Sequence, residues 1–182
     1  MRHLPKLAIL RLLAVAAVVV AAVALTPGHR AVADDGDGCR RCRPPAAIVA
    51  AFAAFDAATS PPAAGQPADV VLAPWLGYLA PDVEFLAGNA PALVGRAQVA
   101  SYFAPLLPFI GSTTHALDTI SPICGLDDVW IVRGTLHLTR ASDGRAITPI
   151  PFTDTLFLDR HGKIARYEIR FDPTPIGELF AP

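Results

Sequence analysis

Apolar and polar positions alternate most regularly between Pro149 and Pro173, in PIPFTDTLFLDRHGKIARYEIRFDP. β-Branched and aromatic residues recur there with period two, which predicts two strands. Asp159-Arg-His-Gly-Lys163 between them is polar and supplies the glycine of a hairpin turn. Thr153, Thr155 and Phe157 share one face of the first strand, and Tyr167, Ile169 and Phe171 share one face of the second. This hairpin is expected at the centre of a curved sheet. Two further strands are predicted over 112–121 and 129–140, the latter ending in the turn Ala141-Ser-Asp-Gly144.

Upstream the spacing becomes helical. Ile48, Val49, Phe52 and Phe55 give a first helix an apolar face, starting near Pro45, where a first turn accepts proline. Ala68 to Leu79 reads as a second helix with Val71, Leu72, Trp75, Leu76 and Leu79 on its buried stripe. Pro74 sits in its first turn or kinks it. Val83 to Leu86 is a short strand. A third helix runs from Gly95 to about Leu107 and carries Val99, Tyr102, Phe103 and Leu106. This order predicts an α+β domain with helices packed on one face of a sheet.

The first 33 residues change the picture. Arg2, Lys6 and Arg11 lead into Leu12–Leu25, 14 residues without a charge, followed by Ala31-Val-Ala33. That pattern predicts a secretory signal peptide over 1–33, and the run is short for a spanning helix, which needs about 20 residues. The expected protein is secreted or extracytoplasmic, with no stable membrane span after cleavage. It would have a flexible tail over 34–45, one domain over 46–175 and a C-terminal tail over 176–182. Cleavage removes four of the 15 basic residues and none of the 16 acids, taking the net charge from −1 to −5. Such a balance argues against nucleic acid as a partner. Cys39-Arg-Arg-Cys42 lies in this charged, proline-flanked tail, with no strand before it, so a structural disulfide is expected rather than a redox centre. It is either the local pair or a tail cysteine joined to Cys124. No set of ligands with metal-site spacing is present, and no cofactor motif.

Four segments carry a resemblance: Ile48–Phe55 (IVAAFAAF), Leu79–Phe85 (LAPDVEF), Leu93–Ala97 (LVGRA) and Gly162–Asp172 (GKIARYEIRFD). In order and spacing they resemble the SnoaL-like branch of the nuclear-transport-factor-2-like (NTF2-like) superfamily, over about residues 46–175. The resemblance implies a cone, a curved mixed sheet closed by about three N-terminal helices around an apolar pocket. Its members include polyketide cyclases, epoxide hydrolases, steroid isomerases, dehydratases and non-catalytic binding proteins. The catalytic aspartate of the cyclases and epoxide hydrolases aligns with Ile169. The epoxide hydrolases' Arg and Asp align with Thr135 and His137, and their Tyr and Asn with Phe85 and Ala87. These departures remove both activities as they operate in those enzymes.

The remaining expectations rest on strand parity. With Thr135 and His137 pointing inward, the pocket is lined by Phe85, Thr135, Thr155, Tyr167, Ile169 and Phe171, and His137 is the candidate general base. Asp154, Arg166, Glu168 and Arg170 are placed on the outer face as ion pairs, and His115 and Asp118 on opposite faces of one strand. The expected partner is a small apolar molecule, bound or turned over in isomerase- or cyclase-like fashion. The competing expectation is a non-catalytic interaction or structural protein, and the mature domain is expected to be a homodimer through an outer row of Trp130, Val132, Leu136 and Leu138.

Overall fold

The computed structural model describes residues 43–60, 65–126 and 128–181. The expected signal peptide, Cys39 and Cys42 lie outside them. Helix α1 spans Ala46–Ala58 behind Pro44-Pro45, and buries Ile48, Ala51 and Phe52 while Val49 stays half exposed. Two short helices follow, α2 (Ala68–Val71) and α3 (Ala73–Leu76), where one was expected. Pro74 lies in the first turn of α3 and has no N–H to continue the preceding helix. Leu79–Ala87 is strand β1, longer than expected and beginning where the second helix was expected to end. Leu93–Val94 is β2, and Arg96–Phe103 is α4, which stops four residues early before a 3-10 turn at Leu107–Phe109.

Strands β3 (Ile110–Pro122), β4 (Val129–Arg140), β5 (Ile150–Leu158) and β6 (Ile164–Phe171) form the meander. The six-stranded sheet has the order β2-β1-β6-β5-β4-β3, so the β5–β6 hairpin is central. Only β1 and β6 run parallel; the other neighbours are antiparallel. The fold is α+β, a curved mixed sheet with its helices on the concave side. Residues 174–180, which run from the end of the expected domain into the tail expected over 176–182, form a 3-10 helix that buries Leu179 against Ile110, Leu138, Ile147 and Ile150.

One irregularity decides which residues face inward. Leu158 pairs with Ile164 beside the turn, but Phe157 pairs with Arg166, so Ala165 is an extra residue in β6. A one-residue bulge moves the partner strand's whole set of side chains to the other face. Tyr167 is therefore opposite Leu156, Ile169 opposite Asp154 and Phe171 opposite Phe152. The sequence reading placed Thr153, Thr155 and Phe157 in those positions. The correction propagates through the β4–β5 pairing, in which Ile131 faces Thr155 and Val132 faces Asp154. Trp130, Val132 and Leu138 are buried in the chain's own core, and Arg133 and His137 are exposed on the convex face. The apolar row offered as a dimer surface is thus the inner wall of the cone.

Candidate functional site

The concave side encloses a cavity of about 100 Å³. Helix α1 supplies Phe52 and Phe55, α3 supplies Trp75, and α4 supplies Tyr102 and Phe103. The sheet supplies Thr113, His115, Phe152, Asp154, Tyr167, Ile169 and Phe171. The wall is aromatic and aliphatic, with a few polar groups set into it, as in small-molecule sites generally. Tyr102, 36 % exposed, stands at the rim.

Two polar pairs occupy different parts of this wall. The first joins α1 to β3. His115 Nδ1 lies 2.5 Å from Asp56 Oδ1, and the His115 backbone N–H donates to Asp56 Oδ2 at 2.8 Å. Asp56 is one helical turn after Phe52, so the helix that closes the cone brings its carboxylate to the strand. The ring of His115 packs edge-on against Phe52, Phe55 and Phe152, with centroids 5.1, 5.8 and 5.4 Å away. With Nδ1 committed to Asp56, Nε2 is the nitrogen left to meet a ligand. Thr113, two residues earlier on the same face, is 2 % exposed, and its Oγ1 has no hydrogen-bond partner among the described residues.

The second pair joins β5 to β6. The Tyr167 hydroxyl donates to Asp154 Oδ2 at 2.8 Å. Asp154 is 2 % exposed, and its Oδ1 has no partner among the described residues. Burial raises its pKa to about 7, against the pull of the Tyr167 hydrogen bond. Burial, followed by the neighbouring Asp154 charge, pushes Tyr167 well above the usual phenol range. Near neutral pH Asp154 therefore exists both as a neutral acid and as a carboxylate. Phe52 touches both pairs, with its ring 6.4 Å from Tyr167 and 5.1 Å from His115.

Of the expected site residues, Tyr167, Ile169 and Phe171 line the cavity. Phe85 is fully buried and packs against Tyr167 at 5.5 Å without being part of the cavity wall. Thr135, Thr155 and His137 are on the other face of the sheet, His137 exposed, so the structure brings none of the three to the cavity. The sequence reading missed Asp154, His115 and Asp56. Asp154 had a legible signal as the one polar residue in the row Ile150, Phe152, Asp154, Leu156. The outer ion pairs hold for Arg166, whose guanidinium bonds Glu84 and Glu168, and not for Asp154. Among the described residues no group of three or more His, Cys, Asp or Glu side chains could hold a metal ion. Cys124 is disulfide-bonded, and Cys39 and Cys42 lie outside the described residues.

The pattern of a curved sheet, three N-terminal helices and an aromatic cavity agrees with the model of the SnoaL-like domain, which matches residues 68–167. The chain belongs to the SnoaL-like domain family. An NTF2-like protein of unknown function from Burkholderia pseudomallei K96243 has a similar fold, at a TM-score of 0.56 and 18 % identity over 75 % of this chain and 95 % of that one. A putative SnoaL-like polyketide cyclase from Jannaschia sp. CCS1 superimposes at 0.53 with 14 % identity, over 75 % and 90 % of the two chains. A putative isomerase from Bacillus subtilis superimposes at 0.54 with 16 % identity, over 74 % and 89 %. At these identities the structural likeness establishes the NTF2-like fold of this SnoaL-like domain and no more. No curated protein gives a significant match.

Proposed function

We propose that this SnoaL-like domain is a small-molecule acid–base enzyme of the isomerase or cyclase type that works outside the cytoplasm. The observation that carries the reading is that His115, held by Asp56, lines the same aromatic cavity as the Asp154–Tyr167 pair. Two titratable groups whose environments differ this much suit the two halves of a proton transfer. Asp56 holds the imidazole by Nδ1, so Nε2 takes a proton from the carbon next to a substrate carbonyl. The electron pair of that C–H bond becomes the C=C of an enol, and the carbonyl oxygen receives the proton of neutral Asp154. Reversal at another carbon returns both protons and gives an isomer, whereas attack of the enol carbon on a second carbonyl closes a ring. The names of the Jannaschia and Bacillus neighbours, a putative polyketide cyclase and a putative isomerase, lend support. The disulfide at Cys124 favours an oxidising compartment, as does the N-terminal pattern of a secretory signal.

The test is deuterium incorporation. The protein is incubated in D2O with a panel of small ketones, including cyclopent-2-enone, and exchange is read by mass spectrometry. Exchange at carbon should exceed the buffer rate and fall by about 10²-fold or more in His115→Gln, the usual worth of a positioned base. Exchange unaffected by that substitution would remove His115 from the chemistry.

A further inference from the structure

We propose that the cavity selects a small uncharged carbonyl compound, no larger than a single ring, and rejects anions of the same size. The proposal rests on the acid–base reading above and specifies its substrate. Three observations carry it. Among the described residues no Lys or Arg lines the cavity, so a carboxylate or phosphate would be buried without a guanidinium or ammonium partner. Two polar groups, the Asp154 carboxyl and the Thr113 hydroxyl, are each 2 % exposed and keep an oxygen without a partner among the described residues. Buried polar atoms of this kind are satisfied in almost all proteins, and a ligand oxygen would satisfy these. The volume of about 100 Å³ is below the ~150 Å³ of an engineered cavity that holds benzene. A volume of this order suits a single small ring and is too small for a fused polycycle.

The charge preference follows from the groups that face Asp154. Tyr167 on β6 is a donor to it and stays protonated. His115 on β3 is paired with Asp56 on α1. Tyr102 on α4 has its pKa raised by burial and is neutral as well. The described wall therefore offers an anion no guanidinium or ammonium group, and the Asp56 carboxylate already occupies the His115 imidazole. In its neutral form Asp154 offers an O–H to a carbonyl oxygen, and in its ionised form it would instead favour an ammonium group.

Three probes of one size separate these cases: cyclopent-2-enone, cyclopentanecarboxylate and cyclopentylammonium, titrated by ligand-observed NMR at pH 6 and pH 8 at constant ionic strength. The enone should bind about tenfold more tightly at pH 6, since Asp154 titrates near 7 and only its neutral form donates. The carboxylate should bind at least tenfold more weakly than the enone at both values. Asp154→Asn should retain enone binding through its amide N–H and lose the pH dependence. Absent enone binding to the parent protein, carboxylate binding equal to it, or ammonium binding that is stronger and tightens at pH 8 would each overturn the proposal. Enone binding without deuterium incorporation would sink the acid–base function and leave the ligand class standing. Exchange by His115 without discrimination against the carboxylate would do the reverse.

Discussion

The Tyr167 hydroxyl and the Asp154 carboxyl meet at 2.8 Å across adjacent strands, deep inside the cone, with the second Asp154 oxygen unpaired among the described residues. A lone carboxyl in such a place is costly when charged. It adds nothing to packing that an apolar residue would not add.

The cost has a pH dependence with a definite sign. Asp154 has a folded pKa of about 7, above the ordinary 3.8, so between those values the folded state holds a proton that the unfolded state has lost. Its contribution is at its most favourable below pH 4, declines as pH rises towards 7 and is then constant, a total on the order of a few kcal/mol. Asp154→Asn should therefore be more stable than the parent at pH 8.5, with the difference shrinking at pH 5. Urea midpoints at the two pH values check this, and a difference independent of pH would show that Asp154 is ionised throughout.

Asp56 holds His115 by both ring and backbone, with side chains only 22 % and 12 % exposed. Asp56→Ala leaves a backbone N–H and a ring nitrogen without their acceptor among aromatic rings. It should cost about 1–3 kcal/mol. In the parent the His115 ring should be the Nδ1–H tautomer when neutral, and ¹⁵N shifts of the imidazole should show that preference weakening in Asp56→Ala. An unchanged tautomer would mean the pair does not orient the ring.

The fold was legible because its strongest signals are local. Alternation in Val129–Arg140 and Ile150–Leu158 and the turn at Asp159–Lys163 place the strands nearly as observed. The site was not, for two physical reasons. The bulge at Ala165 inserts one residue that periodicity does not reveal, and it reverses the faces of β5 and β4 together, removing Thr135, His137 and Thr155 from the pocket. The plain apolar rows, Trp130–Val132–Leu136–Leu138 and Ile150–Phe152–Leu156, indicated the inner face. The alignment of Thr135 and His137 with catalytic positions of related enzymes points to the opposite face. The dyad of Asp56 with His115 spans 59 residues of sequence and depends on how α1 lies over β3, which no local spacing encodes.

Cys124 lies in the exposed turn between β3 and β4 and is disulfide-bonded. Cys124→Ser should lower stability by roughly 2–4 kcal/mol, chiefly by freeing the unfolded chain. Reduction of the parent with dithiothreitol should reproduce the shift in denaturation midpoint and leave Cys124→Ser unaffected. Peptide mapping of the non-reduced protein should recover Cys124 linked to Cys39 or Cys42, the chain's other cysteines.

Gly134 interrupts the inner apolar row of β4, and its missing side chain shapes the cavity. A Cβ there would lie 2.3 Å from the Ala116 carbonyl oxygen on β3 and 3.0 Å from Phe152 Cζ on β5. Phe152 in turn stacks on Phe52 at 5.9 Å and touches His115, so its ring cannot yield without disturbing the dyad. The Ala116 oxygen is backbone in a paired strand and yields still less. Gly134→Ala should cost about 1–3 kcal/mol or more, the range for overpacking a filled core. Gly177→Ala is the control: nothing lies within 4 Å of its added Cβ, and the change should be within about 0.5 kcal/mol. Combining Gly134→Ala with Phe152→Leu tests which contact dominates. Little recovery is expected, because the closer clash is with the Ala116 backbone. Full recovery would show that the glycine serves the Phe152 ring alone and that the β3–β4 contact adjusts without cost.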